Sequence, residues 1–117
     1  MNLKKIPLSG STHGRPIKVT QTAIATGDTI HTALATTTDG EGDEIVLDAY
    51  NADSVERTLT IGWGGVSDPD DLIEFVLGAG ERAHVVPGLF LRNGLVVKAA
   101  ASAANVITIQ GYVTRAQ

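Results

Sequence analysis

The chain has 117 residues, 43% of them hydrophobic, and a net charge of −4. That length suits one domain, enough to bury a core and too short for a second. It has no cysteine, which excludes a disulfide framework, a thiolate nucleophile and a cysteine-based metal site.

Residues 1–14 read as an arm. Pro7, Ser9, Gly10, Ser11 and Gly14 punctuate them and no periodicity runs through them, so a flexible N-terminal arm is expected, ordered by a neighbour. Lysines occur at positions 4 and 5 with no apolar run behind them, so no secretory signal is read there. No stretch approaches the roughly 18 uncharged apolar residues of a membrane span. The expected place of folding is a reducing cytoplasm.

The folded part is expected over residues 15–117. Residues 16–22 carry Ile17, Val19 and threonines, which favour a strand. After the turn at Gly27-Asp28 comes a second strand over 29–34. A polar loop (ATTTDGEGDE) leads to a third over 44–49. The fourth, over 55–63, sets Val55, Leu59, Ile61 and Trp63 on one side and Glu56, Thr58 and Thr60 on the other, with Arg57 breaking the apolar face. The fifth spans 72–77. The sixth spans 82–86 and is expected to end at Pro87-Gly88.

The last two strands lie at 95–101 and 105–114. In the final one, Ile107, Ile109 and Val113 alternate with Thr108, Gln110 and Thr114, and Tyr112 interrupts the polar side. That period of two marks a strand with one face on a core. Asn93-Gly94, following Leu89-Phe90-Leu91, is a hairpin signal because both residues tolerate positive φ. Residues 70–77 and 98–104 have some helical propensity, but the flanking turns leave them only strand length. Eight short strands at near-regular spacing predict an all-β, antiparallel sandwich or jelly-roll-like domain.

Charge is segregated along the chain. Residues 1–27 hold Lys4, Lys5, Arg15 and Lys18 and no acid; residues 28–74 hold twelve of the thirteen acids and one base, Arg57. Such a pattern suits contact between copies or with a charged partner, and a solvated surface accounts for it equally well.

The search for chemistry yields little. His13 lies in the arm, and His31 and His84 stand alone on separate strands, without a nucleophile or metal spacing. No nucleophile elbow, zinc-protease helix or phosphate loop occurs. Gly62-Trp63-Gly64-Gly65 lacks the Lys-Ser/Thr that holds phosphate. Two acidic loops, residues 39–44 and 68–71, have the oxygen ligands that calcium prefers, although soluble turns look the same. The aromatics are too few for stacking on single strands, and a pI near 5.2 argues against a duplex-binding face. The expectation is therefore no enzyme, no cofactor, no metal, no nucleic acid and no membrane.

The tract Val85-Val86-Pro87-Gly88-Leu89, with Asn93-Gly94-Leu95-Val96-Val97-Lys98-Ala99, Ala104-Asn105-Val106-Ile107, Gly111-Tyr112-Val113 and Arg115, resembles small virion proteins of tailed bacteriophages. Asp68-Pro69-Asp70-Asp71-Leu72-Ile73 and Gly62-Trp63-Gly64 add to a likeness that spans residues 55–117. The resemblance implies a capsid decoration (cement) protein: β-rich, often a homotrimer, made in the host cytoplasm and seated on the outer shell. There it clamps neighbouring major capsid protein subunits, frequently with an N-terminal arm. It assigns no residue a role. On the arm reading, the residues that meet the partner are Lys4, Lys5, Ile6, Pro7, Leu8 and Arg15, and removing residues 1–14 should leave the thermal transition nearly unchanged.

Two alternatives come from other classes. A tail or head-fibre accessory that binds glycan predicts an exposed Trp63 or Tyr112 beside polar groups. A small cupin-type enzyme needs a cluster of metal ligands, which two separated histidines do not supply.

Overall fold

The alternation of the last strand decides the layering. Ile107, Ile109 and Val113 have no exposed surface, whereas Tyr112 is 40% exposed. Residues 2–117, which the computed structural model describes, form nine strands and one 3-10 turn, Ile24–Thr26. The strands are β1 (Leu3–Pro7), β2 (Ile17–Lys18), β3 (Asp28–Thr32), β4 (Gly42–Asn51), β5 (Arg57–Trp63), β6 (Leu72–Leu77), β7 (Arg82–Leu91), β8 (Val96–Ala101) and β9 (Ile107–Ala116).

Two antiparallel sheets face each other. One runs β1-β9-β4-β7, with β2 also paired to β9, and the other runs β3-β8-β5-β6. From β2 onward the chain changes sheet at each connection except the β5–β6 hairpin, which is the strand order of a jelly roll. The core lies between the sheets. Ile45 and Leu47 from β4 and Ile107 and Ile109 from β9 line one side, and Leu59, Ile61 and Val97 line the other, all fully buried. Trp63 is half-buried and packs against this core.

Three expectations change. The N-terminal arm is docked here. Residues 3–7 pair along β9, Asn2 and Gln117 exchange two backbone hydrogen bonds, and Leu8 is 1% exposed inside the core. No periodicity marked β1 because Leu3, Lys4, Lys5 and Pro7 stand in water while the backbone ladder holds them. Second, Pro87-Gly88 does not end a strand. β7 continues through it to Leu91, with its register against β4 shifting on either side of Val46. That is tolerated because β7 is an edge strand. Third, Asn93 and Gly94 both have φ of 66°, as a tight turn requires, yet the turn carries the chain from one sheet to the other.

Gly111 sets the closeness of the two central strands. It sits opposite Leu47, and a Cβ there would overlap the Val46 carbonyl oxygen. Gly111→Ala must therefore push β9 and β4 apart. We expect a loss of about 1–3 kcal/mol, the range of overpacking in a filled interior. It would be read as a lower urea midpoint with an unchanged slope; an unchanged midpoint would show that the strands separate freely.

Candidate functional site

The outer face of the β1-β9-β4-β7 sheet carries an exposed apolar surface that crosses it from edge to edge. Pro7, Tyr112, Val46 and Pro87 lie at one level across the four strands. Above this row, Phe90 is 56% exposed and Leu3 73%. The far end of the Phe90 ring lies where a side chain on Gly42 would be, so a glycine there makes room for the aromatic over β4. Lys5 holds its ammonium 4.8 Å from the centre of the Tyr112 ring, a cation–π contact that fixes the lysine beside the apolar row.

The open side of β1 borders this surface. Asn2 and Gln117 exchange both hydrogen bonds, so by the alternation of an antiparallel ladder Lys4 and Ile6 also face β9. The backbone groups of Leu3, Lys5 and Pro7 then point away from the sheet. Of the residues expected to meet a partner, Lys4, Lys5 and Pro7 come together on this edge, exposed. Ile6 is half-buried against the core. Leu8 is buried and unavailable to any partner, a correction that follows from its place between the sheets. Arg15 is exposed and lines a groove of about 270 Å³ with Thr12 and Lys18, next to β2 on the same edge of the sheet. Reasoning from sequence missed Leu3, Val46, Pro87 and Phe90. The one signal was that Tyr112 interrupts the polar side of its strand.

A buried polar cluster lies inside the sandwich. Asp43 has no exposed surface and accepts hydrogen bonds from Arg115 Nε (2.8 Å) and Nη2 (2.9 Å) and from the Leu34 N–H (3.1 Å). His31, also fully buried, accepts the Ser9 N–H at Nδ1 (3.0 Å). Its ring proton therefore sits on Nε2 and is donated to Asp43 Oδ2 (2.7 Å). Burial alone would raise the Asp43 carboxyl; the Arg115 guanidinium, the His31 N–H and the Leu34 N–H outweigh it and hold the group below its ordinary value.

The cluster has the residue types of a hydrolytic triad but the wrong wiring. The second nitrogen of His31 takes the backbone N–H of Ser9, and the Ser9 hydroxyl instead accepts the Thr32 N–H (2.7 Å). Among the described residues no base reaches the hydroxyl, and the imidazole is sealed from solvent, so the cluster fastens residue 9, β3, β4 and β9 to one another. His84 pairs with Asp48 at 2.6 Å on the exposed outer face.

The acidic loops do not converge on a point. Asp43 is committed to Arg115, Asp39 lies 3.4 Å from Arg92, and Asp71 accepts the Ser67 N–H. Among the described residues no group of three His, Asp or Glu side chains could hold a metal ion. A groove of about 350 Å³ crosses the outer face of the other sheet, lined by Thr22, Thr58, Thr60, Asp68, Glu74 and Ser102 among others and by no aromatic ring.

No protein-family model matches the chain, and no curated protein or solved structure shows significant similarity to it.

Proposed function

We propose that the chain is a structural virion protein that binds the outer surface of a phage capsid and stabilises it by bridging major capsid subunits, as a homotrimer. The observation that carries this reading is the apolar surface of Tyr112, Phe90, Val46, Pro7 and Pro87 with Lys5 beside it. An exposed apolar patch edged by charge is the composition of a protein-binding surface. The likeness of residues 55–117 to small phage virion proteins points the same way. The glycan-binding alternative expects an exposed Trp63 or Tyr112 beside polar groups; Trp63 packs against the core, and Tyr112 is exposed with Lys5 over one face of its ring.

The test is co-sedimentation with purified capsids lacking the protein. Wild-type protein is expected to pellet with the shells and to raise the temperature at which they open. A Tyr112→Ala/Phe90→Ala double variant, its folding checked by melting, is expected to bind at least about 30-fold more weakly, as for loss of an interface hot spot. Wild-type protein that stays in the supernatant would overturn the reading; undiminished binding by the variant would overturn this surface.

A further inference from the structure

The two sheets have four outer edges, and three of them are guarded. β1 carries Lys4, Lys5 and Pro7. β7 carries Pro87 and two register shifts. β3 has a register shift of its own, and residues 9–10 cover it: the Gly10 N–H reaches the Ile30 carbonyl and the Thr32 N–H reaches the Ser9 hydroxyl. β6 has none of these. Its pairing with β5 runs without a shift from Arg57↔Leu77 to Gly62↔Leu72. It contains neither proline nor lysine, and Val76 is 54% exposed. Long, regular, apolar edges of this kind recruit another strand unless something blocks them.

The β6 edge matches the unpaired side of β1. The Trp63 N–H is bonded to the Asp71 carbonyl, so alternation turns Ile73, Phe75 and Leu77 toward β5 and leaves Leu72, Glu74 and Val76 facing outward. On β1 the outward residues are Leu3, Lys5 and Pro7. Laid antiparallel, the strands set Leu3 against Val76 and Lys5 against Glu74, each pair exchanging two hydrogen bonds. The ladder ends at Pro7 and Leu72, because Pro7 has no N–H and the Leu72 N–H is already given to the Pro69 carbonyl (3.3 Å). Four hydrogen bonds, an apolar cross-strand pair and an ion pair result, and like charges meet nowhere in the register.

From this we infer that β6 takes β1 of a second copy of the chain, head to tail. Pairing two β1 edges in the same register about a twofold axis would set Lys5 against Lys5, and pairing two β6 edges would set Glu74 against Glu74. In these registers both symmetric arrangements are repelled, and the heterologous one is attracted. Heterologous contacts close into rings when the rotation per copy divides a full turn. The inference takes up the self-association in the proposed function but needs no capsid. Failure of capsid binding and failure of copy-to-copy pairing therefore show up in different experiments.

The test is light scattering on the free full chain over a concentration series. Wild-type protein is expected to assemble, and Lys5→Glu and Glu74→Lys alone are each expected to weaken assembly about tenfold or more, since each replaces an attractive cross-strand pair with a repulsive one. The double swap, Lys5→Glu with Glu74→Lys, is expected to restore the wild-type mass, which a merely misfolded variant would not do. A wild-type monomer at every concentration overturns the inference. So does an assembly whose mass neither single variant changes, or a double swap that stays dissociated.

Discussion

Replacing Asp43 with alanine is expected to destabilise the fold by about 3 kcal/mol, toward the lower end of the 3–5 kcal/mol seen when one partner of a buried ion pair is removed. The change strands four N–H donors at once: the two of the Arg115 fork, that of His31 and that of Leu34. The lower end applies because the Arg115 side chain keeps 23% of its surface in solvent and can rehydrate in part, whereas His31 cannot. Urea unfolding of the variant measures the loss; less than about 1 kcal/mol would place the cluster among ordinary surface pairs.

The same carboxylate makes the stability sensitive to acid. Its folded value lies below the unfolded one. The stabilisation is therefore complete above the ordinary carboxylate range and is lost as the pH falls through the folded value. Asp43→Asn, which cannot ionise, lacks this dependence. The gap between wild type and Asp43→Asn is expected to be widest near neutrality and to close in strong acid. Equal gaps at both ends would contradict the assignment.

Removing residues 1–14 is the second change with a large expected effect. It takes away β1, the Ser9 N–H that His31 requires, and Leu8, whose burial alone is worth about 1.5–3 kcal/mol. Ser9 and Gly10 also leave β3, exposing its outer edge. A loss of several kcal/mol and a markedly lower melting temperature are expected, in place of the unchanged transition that a free arm implies. Removing only residues 1–5 gives the contrast. Leu3, Lys4 and Lys5 have exposed side chains, so that shorter truncation gives up backbone hydrogen bonds worth about 1 kcal/mol each net and spares Leu8. Calorimetry of the two truncations separates the cases, and identical melting curves would contradict the docking of Leu8.

The residues that could be read in advance are those with water on one side and the core on the other. Ile107, Ile109 and Val113, or Leu59, Ile61 and Trp63, repeat every second position because one sheet face is buried, and that repeat gave the antiparallel sandwich. β1 was illegible because most of its side chains are solvated, leaving no alternation to find. Pro87-Gly88 misled because turn chemistry and an edge irregularity use the same residues. Asn93-Gly94 fixed its own backbone angles, but local angles do not state which sheet the next strand joins. The ring of contacts around Asp43 joins partners 12 and 72 residues away in sequence, and no spacing rule covers such distances. The exposed row of Pro7, Tyr112, Val46 and Pro87 depends on a register across four strands, which no one strand contains.

β9 is the shared neighbour of β1, β2 and β4, and this bears on how the chain is made. During synthesis the first two strands have no partner until residues 107–116 leave the ribosome. The β3-β8-β5-β6 sheet can assemble earlier, but its buried face stays uncovered in the meantime. Folding therefore waits for the last strand, and that wait is when apolar strands such as β6 are open to aggregation. A chain halted before residue 107 should behave as an unfolded, protease-sensitive polypeptide, however much of its core it already carries.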